Sequence, residues 1–514
     1  MHHGLELQAV LTVLALTGCL VTMLGLGPLR GNEYDVLPVA KQYMDPHWLP
    51  RDWYLNRPAG YRWAFNVLAG TALKAWSFPQ VVLLGRSLIF LAFSSAAVAL
   101  CRACRVSLWL CLPWIYAYLP TQSLAAGEWV LKSLETKPFA YIAVVASLAA
   151  LVRHRYRAMA AWLGLAVTFH ALIGSYACLC TLGCLALKEH RAQWRRIAKS
   201  AWPGPLTGLP GLWVLVGYQV ERGHDRNLVA NGAQIYVELR VSHHVLPSAW
   251  SSRLWPLWLG VCVATALLLR RREARYRVVS QYVLVAAAIF CAGLVIWGLG
   301  WHTLLRFYWF RFGDTMIPLL TWFLLTMRLS DRYLASASIE LGGSRRFSLA
   351  WIASAALGAA TLSLYFLRGP AELFGEDVRR SWVLPGRRPT AVGSWIQRHT
   401  DPEASFLIDP ILDSFYVDAE RAAFVTFKHA PQAEQDLIEW ETRLERLAGG
   451  AMPSAQGLAA RAELDAAYRG MAGDEARQIA LDYGLDYMLT ENPWLPFPRA
   501  YQSDGWTLYR MPRR

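Results

Sequence analysis

The stretch NEYDVLPVAKQYMDPHWLPRDWYLNRPAGYRW, residues 32–63, sets how this chain is organised. It follows an apolar run that ends near Pro28 and precedes a second apolar run that begins near residue 79. A plain connector at a membrane surface needs no acids, yet this one holds four: Glu33, Asp35, Asp45 and Asp52. Carboxylates in such a place act as general bases or bind cations. The stretch is therefore the first place to look for chemistry.

The composition indicates an integral membrane protein rather than an ordinary soluble enzyme. The chain has 514 residues, of which 55% are hydrophobic, and a mean hydropathy of +0.25. Several runs reach about 18 apolar residues, the length needed to cross the hydrocarbon core. The N-terminal segment MHHGLELQ has no Lys or Arg. We therefore expect an uncleaved first span rather than a signal peptide.

The basic residues define the cytoplasmic face. The formal net charge is +14, and the basic residues cluster in short stubs between apolar runs, which is the positive-inside pattern. A nucleic-acid partner is therefore not expected. The nine cysteines lie in apolar runs or at their cytoplasmic ends, so no disulfide framework is implied. Cys101 and Cys104 have CxxC spacing, but without a second such pair we expect no metal site there.

We predict a mainly α, polytopic bundle of about eleven spans in residues 1–367, followed by a separate extracytoplasmic α/β domain in residues 368–514. The spans are predicted at 8–28, 79–101, 107–120, 137–152, a broken pair at 158–170 and 172–187, then 200–219, 254–269, 278–300, 304–327 and 347–367. The N-terminus is then cytoplasmic, in a bacterial inner membrane, and the C-terminal domain periplasmic. Outward loops are expected at 29–78, 121–137 and 220–252.

The C-terminal domain shows strand and helix signals. Short apolar runs bounded by turn residues predict strands at 404–408, 422–427, 485–490 and 506–511. The run EARQIALDYG predicts a helix that ends at Gly484. Lys428 and His429 follow one predicted strand, where side chains either reach a cavity or are solvated.

The acids of the first loop are the catalytic candidates. Glu33 and Asp35 are two residues apart, so on a surface helix they face different ways and at most one of them can point into a central cavity. In an extended backbone the same Glu-x-Asp pair can bind a divalent cation. Alternatively, both acids stabilise the start of a helix through its dipole. Asp52 is a further candidate, whereas Asp45 precedes Pro46 in a typical turn.

Cationic candidates for an anionic group lie in the second long loop. Arg240, His243 and His244 offer charge and hydrogen bonds suited to a phosphate. The alternative is a solvated or interfacial loop.

The run LLRFYWFRFGD, residues 304–314, adds Arg306 and Arg311. Intramembrane charge tends to be functional. Arg311 and Asp314 are three residues apart, which is the spacing of a pair on one helix face.

Further charged residues lie at the ends of predicted spans. Arg86 is a phosphate-binding candidate for which snorkelling toward the interface is favoured. Glu128 and Lys132 have the spacing of an exposed helical pair. Glu135 and Lys137 are left over beside the next span and are candidates for lining a cavity.

Four short runs carry a resemblance to a known family: LETKPFAY (134–141), FHALIG (169–174), RVSHHVLPSAW (240–250) and FKHAPQAEQDLIEWETR (427–443). With the spans, the acidic first loop and the outer domain, they resemble the polytopic glycosyltransferases of the GT-C class. They are most similar to a bacterial multi-span group in that superfamily.

The resemblance implies transfer of a sugar from a polyprenyl-phosphate carrier at the outer leaflet, with a lipid-linked donor and membrane lipids as partners. It implies that Asp35 or Glu33 acts as the general base or orients the acceptor. It also implies that Arg240, His243, His244, Arg306 and Arg311 hold the phosphate. The chain has Glu-x-Asp where the family has Asp-x-Asp, so a divalent cation is a possible cofactor rather than an implied one.

Two other functions fit the same residues. A transporter or flippase of a lipid-linked or anionic substrate would use the same arginines, but it predicts an internal repeat that we do not find. A non-catalytic membrane scaffold would use the acids structurally. The sequence leaves the sugar, the acceptor and the oligomeric state open.

Overall fold

The chain is mainly helical. A computed structural model describes residues 2–57, 62–123, 125–221, 226–250, 252, 254–340 and 390–512. Within them, the helices before the C-terminal domain are His2–Leu24 (α1), Glu33–Met44 (α2), Trp63–Ala75 (α3), Phe78–Ala103 (α4), Cys111–Tyr118 (α5), Thr136–Val152 (α6), Tyr156–Phe169 (α7), Ala171–Leu185 (α8), Lys188–Arg191 (α9), Trp194–Ser200 (α10), Pro203–Glu221 (α11), Arg226–Gln234 (α12), Ser242–Val245 (α13), Trp255–Arg270 (α14), Ala274–Gly298 (α15), His302–Leu305 (α16) and Trp309–Glu340 (α17). Single turns of 3₁₀-helix are found at Leu108–Leu110, Leu119–Thr121 and Pro247–Ala249, and a π-helix at Ile235–Arg240.

Three of the described helices are long and apolar enough to cross a membrane: Glu6–Leu24, Phe78–Ala103 and Ala274–Gly298. Shorter apolar helices are Thr136–Val152, Ala171–Leu185 and Trp255–Arg270. The count of eleven spans stays a prediction, because the expected span 347–367 lies outside the described residues.

Helix α4 begins sharply. The Ser77 hydroxyl and the Gln80 side chain form a capping box, in which the Ser77 backbone N–H donates to Gln80 Oε1 at 2.9 Å. Such a box satisfies amide groups that the first helical turn leaves unpaired. Arg86 then lies about 12 Å along the helix from Phe78 by rise alone. The cap thereby fixes how far along α4 this arginine lies.

The predicted break near His170 is confirmed. Helix α7 ends at Phe169, His170 has extended backbone angles, and α8 begins at Ala171. Gly174 lies against the preceding helix, where a Cβ would approach the Val167 backbone nitrogen to 2.4 Å. Only glycine fits such a close approach.

Helices α7 and α11 pack through small residues. A Cβ on Gly164 would lie 2.1 Å from Thr207 Oγ1 and 2.2 Å from the Gly204 carbonyl oxygen. A Cβ on Gly211 would lie 2.6 Å from the Thr168 Cα. Small residues at these positions let the two backbones approach, as is common between helices in membranes.

The C-terminal domain contains a five-stranded sheet with the order β2-β1-β3-β5-β4. The strands are Ser405–Ile408 (β1), Ala422–Ala423 (β2), Tyr487–Thr490 (β3), Arg499–Ser503 (β4) and Trp506–Arg510 (β5). Strands β2, β1 and β3 are parallel, whereas β5 is antiparallel to both β3 and β4. The surrounding helices are Thr390–His399 (α18), Phe415–Asp418 (α19), Glu434–Leu447 (α20), Ala460–Gly470 (α21) and Gly473–Tyr483 (α22), with a 3₁₀ turn at Gly457–Ala459.

The strand predictions are largely confirmed. The strand expected at 422–427 is shorter, because only Ala422–Ala423 pair with β1. Strand β4 was not predicted, since its sequence RAYQS lies at the sheet edge and shows no apolar alternation. Gly484 ends its helix with φ +65°, as predicted.

The first loop and the C-terminal domain share a hydrophobic core. Val39, Leu49 and Leu55 of the loop belong to the same cluster as Phe415 and Leu508 of the domain. The domain boundary predicted at 367/368 falls in residues outside the described ranges. The loop is therefore packed against the domain rather than extended over the membrane surface.

Replacing Gly164 by leucine should destabilise the bundle, because the new side chain would overlap Thr207 and the Gly204 carbonyl. Overpacking of this kind costs about 1–3 kcal/mol or more. The thermal midpoint of the detergent-purified protein measures it. The matched control is Gly260→Leu, since nothing lies within 4 Å of a Cβ at Gly260. Equal midpoints for the two variants would contradict the close α7–α11 packing.

Candidate active site between the first loop and the C-terminal domain

Glu33 forms a fully buried ion pair with Arg86. Arg86 donates through Nε to Oε1 at 2.8 Å and through Nη2 to Oε2 at 2.5 Å. The backbone N–H groups of Arg30 and Leu134 donate to the same carboxylate at 2.9 and 2.7 Å. Arg86 also donates to two carbonyls just beyond the first helix, and only 1% of its surface is exposed. The snorkelling expected for Arg86 is therefore wrong, because a carboxylate lies at the depth of its guanidinium.

Asp35 lies two residues further along α2 and faces other partners. The Tyr54 hydroxyl donates to Oδ1 at 2.7 Å, and Arg62 Nη1 lies 2.9 Å from Oδ2. Burial raises the pKa of Asp35, but Arg62, His429 and the Tyr54 hydrogen bond together lower that pKa to about 2. Lys428 acts in the same direction. Asp35 is thus a buried, ionised carboxylate surrounded by cationic and hydrogen-bonding groups.

Asp52 joins the first loop to the sheet. Its Oδ1 accepts the Leu55 backbone N–H at 2.7 Å, and its Oδ2 accepts the Ala423 backbone N–H at 2.9 Å. Burial raises the pKa of Asp52 to about 6, although hydrogen bonds from Leu55, Ala423 and Tyr416 oppose this. Asp52 therefore holds the first loop against strand β2 of the sheet.

The segment that follows β2 is held by its backbone. Trp440 Nε1 donates to the Thr426 carbonyl at 2.9 Å, and Arg443 Nη1 donates to the Phe424 carbonyl at 3.0 Å. Together with the Ala423–Asp52 bond, these contacts fix the path of the segment toward the first loop. Arg240 completes them, because its Nε and Nη2 donate to the Lys428 carbonyl at 3.2 and 3.1 Å.

The end of this segment brings Lys428 and His429 to the first loop. Lys428 Nζ donates to the Gly31 carbonyl at 2.6 Å, and His429 Nε2 lies 3.0 Å from the Tyr34 carbonyl oxygen. The His429 ring is 5.3 Å from the Tyr54 ring. Burial lowers the pKa of Lys428 and of His429, while nearby carboxylates oppose this. The two side chains therefore complete the surroundings of Asp35 from the C-terminal domain.

A second charged cluster centres on Glu128, which is fully buried. Arg311 Nε donates to Oε1 at 2.6 Å, and Lys137 Nζ donates to Oε2 at 2.9 Å. Burial raises the pKa of Glu128, but Arg311 and Lys137 outweigh it and hold that pKa well below its usual range. His244 Nδ1 is 3.5 Å from Oε1. Burial lowers the pKa of His244 to about 4, with Glu128 opposing and Arg311 adding to this.

Glu135 links this cluster to the first loop. Its Oε2 accepts Asn32 Nδ2 at 3.1 Å, and its Oε1 accepts Trp129 Nε1 and the Ser133 hydroxyl at 3.0 and 2.9 Å. Lys137 Nζ lies 3.7 Å from the same oxygen. The two charged clusters are therefore neighbours at one end of the helical bundle.

Two other predicted phosphate-binding residues, Arg306 and His243, contact other groups. Arg306 Nη1 pairs with Glu434 Oε1 at 2.5 Å, and its Nη2 donates to the Gln432 carbonyl at 3.0 Å. These contacts hold the start of α20. The His243 ring lies beside that of His244, with centroids 4.0 Å apart and the planes tilted by 43°, and burial lowers the pKa of His243.

The acids of the first loop do not fit a divalent cation. Glu33 and Asp35 bind different arginines, so the Glu-x-Asp pair does not converge on one point. Among the residues that the structure describes, no group of three or more His, Cys, Asp or Glu side chains is arranged to hold a metal ion.

Comparison with solved structures shows that the chain has the fold of the GT-C-class membrane glycosyltransferases, as the sequence predicted. The matching structure is that of ArnT from Cupriavidus metallidurans in the apo state. The match covers 99% of this chain and 98% of that one, with a TM-score of 0.51 and 12% sequence identity.

The family model "Domain of unknown function (DUF6798)" matches residues 389–447, which include the segment bearing Lys428 and His429. Comparison with curated proteins finds no match.

Several residues of the site were missed or paired wrongly from the sequence. The expected exposed pair of Glu128 and Lys132 is wrong, because the helix begins only at Thr136 and Glu128 is buried. For Arg311 and Asp314, which have the spacing of a helical pair, the structure shows other partners. Arg311 binds Glu128, and Asp314 accepts the Glu128 backbone N–H at 3.0 Å. Arg62 gave no signal beyond being the last charge before α3.

Replacing Glu33 by glutamine should strongly destabilise the protein, because Arg86 would keep a buried charge without its counter-ion. Breaking such a pair costs about 3–5 kcal/mol. The thermal midpoint of the purified protein measures this. The control is Glu6→Gln, which removes an exposed pair with Arg102 and should cost less than about 1 kcal/mol. Equally small effects of the two changes would show that Glu33 is not a structural clamp.

Proposed function

We propose that this protein is an integral-membrane glycosyltransferase that moves a sugar from a lipid-linked, phosphate-bearing donor to an acceptor at the outer leaflet of its membrane. The observation that carries the proposal is the setting of Asp35. It is a buried, ionised carboxylate among Arg62, Lys428 and His429, in a chain with the GT-C fold. The polyprenyl nature of the carrier, the periplasmic side and the bacterial inner membrane belong to the same proposal.

The cations around Asp35 suit an anionic donor. Arg62 forms an ion pair with Asp35, and its planar fork matches a phosphate equally well. A bound donor phosphate therefore competes with Asp35 for Arg62. Lys428, which carries the second positive charge beside Asp35, adds to the attraction.

This competition prepares Asp35 for catalysis. When Arg62 turns to the phosphate, Asp35 loses the cation that contributes most to its low pKa, so its pKa rises. The acceptor oxygen then attacks the anomeric carbon of the donor sugar, and Asp35 takes the acceptor proton. The bond between that carbon and the phosphate oxygen breaks. Arg62 and Lys428 stabilise the negative charge of the leaving phosphate.

The other predicted residues take supporting roles in this proposal. Glu33 and Arg86 fix the start of α2, and Asp52 fixes the segment that ends at Lys428. Arg240 positions Lys428 through its carbonyl.

The Glu128 cluster forms the neighbouring wall, with Arg311, Lys137 and His244 bound to one carboxylate. Glu135 joins this wall to the first loop, and Arg306 holds α20.

A non-catalytic scaffold is the second candidate. The specific observation in its favour is that Glu33 and Asp52 each hold two distant segments together, by accepting the backbone N–H groups of Leu134 and Ala423. A scaffold requires nothing of Asp35 beyond its ion pair. The two candidates therefore differ in what happens when Asp35 is changed without loss of folding.

Asp35→Asn should abolish most transfer, because loss of a general base costs about 10²- to 10⁴-fold in rate. The assay incubates the purified protein in nanodiscs with labelled polyprenyl-phosphate sugars and measures release of the carrier phosphate. Arg62→Gln should raise the KM for the donor.

Asp45→Asn, a carboxylate change in the same loop, is the control and should leave transfer unchanged. Transfer by Asp35→Asn at the wild-type rate would remove Asp35 from the mechanism. No turnover of any donor by the wild-type protein would favour the scaffold.

The proposed orientation predicts that alkaline phosphatase fused after Arg514 is active, because this reporter folds only after export. The basic stub at 188–199 should be cytoplasmic. The same reporter inserted there is the matched control and should be inactive. Activity of the internal fusion and inactivity of the terminal one would reverse the topology.

A further inference from the structure

A groove distinct from the Asp35 site lies between the first loop and the C-terminal domain. It consists of two adjoining cavities of ≈ 390 and ≈ 420 Å³, which share Gln397 and Glu420 in their walls. Trp48 lines one cavity, and Trp76 and Phe78 line the other. We call it the Glu420 groove. Each cavity is in the size range of small-molecule sites.

Glu420 has an unusual backbone conformation. Its φ is +46°, in the left-handed region that non-glycine residues rarely adopt. Its Oε2 accepts Lys41 Nζ at 2.5 Å and Trp48 Nε1 at 3.0 Å, while Gln397 Nε2 lies 3.5 Å from Oε1. Such strain tends to occur where a side chain is held for binding. Here it keeps a carboxylate at the junction of the two cavities.

The lining suits a sugar better than a phosphate. Indole rings stack on the apolar faces of sugar rings, and carboxylate and amide groups accept or donate hydrogen bonds to hydroxyls. Three carboxylates, Glu403, Asp418 and Glu420, belong to the walls, and Lys41, which also lines the groove, is paired with Glu420. The guanidinium of Arg421 is turned away toward backbone carbonyls. An anionic headgroup would meet this excess of negative charge, whereas a neutral or amine-bearing sugar would not.

The groove adjoins the start of helix α4, since Ser77, Phe78 and Pro79 line its second cavity. Phe78 is the first residue of α4, which is long and apolar enough to span a membrane. Trp76, just before it, is 49% exposed. Tryptophan is enriched at the boundary between membrane and water. A ligand in this groove can therefore keep its acyl chains in the bilayer.

We propose that the Glu420 groove binds the sugar headgroup of a neutral glycolipid. Resting on the proposed function, this ligand is the acceptor that the Asp35 site glycosylates. One segment joins the two places: Glu420 lines the groove, Ala423 is tied to Asp52, and Lys428 lies beside Asp35. Binding in the groove is nevertheless measurable without any transfer.

The test is native mass spectrometry of the purified full-length protein with diglucosyl diacylglycerol, and with phosphatidylglycerol as the anionic comparison. The wild type should bind the glycolipid in preference to phosphatidylglycerol. Glu420→Gln and Glu420→Gly should each lower glycolipid binding about tenfold, since a hydrogen bond to a charged group is lost. Glu420→Gly also relieves the positive φ, which offsets the loss of the Lys41 and Trp48 contacts, so its thermal midpoint should stay close to that of the wild type.

The control is Asp474→Asn, which removes a carboxylate whose side chain is 96% exposed and should leave binding unchanged. Wild-type binding by Glu420→Gly, or preference for phosphatidylglycerol, would overturn the proposal. Asp35→Asn should bind the glycolipid normally. Glycolipid binding that depends on Glu420 in a protein without transferase activity would support the groove and refute the proposed function. If Glu420→Gly binds the glycolipid and transfers sugar as the wild type does, the proposed function is supported and the groove is refuted.

Discussion

The buried ion pair between Glu33 and Arg86 determines how the first loop joins the helical bundle. A charge far from water is stable only when it is paired and hydrogen-bonded. Arg86 comes from α4, which is long and apolar enough to cross a membrane, and Glu33 is the first residue of α2, so their pairing fixes where α2 starts. Leu134 adds a third segment through its backbone N–H. Asp35 is two residues, or about 200°, further round the helix, and therefore faces away from this pair.

The division of work between the two acids follows from that rotation. Glu33 accepts four donors and serves as a clamp, whereas Asp35 faces groups supplied by distant parts of the chain. Arg62 comes from the end of the first loop, and Lys428 and His429 come from the C-terminal domain. The domain thus contributes side chains to the surroundings of Asp35 as well as covering the loop. In the proposed reaction, an anionic donor would redistribute the cations that now neutralise Asp35.

Local patterns in the sequence predicted much of the fold and only part of the site. Apolar runs predicted the long apolar helices α1, α4 and α15, the basic segments around 158–187 predicted the break at His170, and turn residues predicted most strands. Pairings between distant residues were not predictable from local spacing. Glu128 and Arg311 are 183 positions apart, and Asp52 and Ala423 are 371 apart. Spacing instead suggested Lys132 for Glu128 and Asp314 for Arg311, and in both cases burial against another segment prevailed.

The backbone contacts of residues 423–428 bear on how this protein can vary. Asp52, Arg443, Trp440 and Arg240 bind the main-chain groups of Ala423, Phe424, Thr426 and Lys428, and none of these bonds depends on which side chain the segment carries. The path of this segment is therefore held independently of its own side chains. Substitutions at 428 and 429 can change the charge beside Asp35 while the backbone of the segment stays in place. Substrate selectivity can thus change without a change of fold.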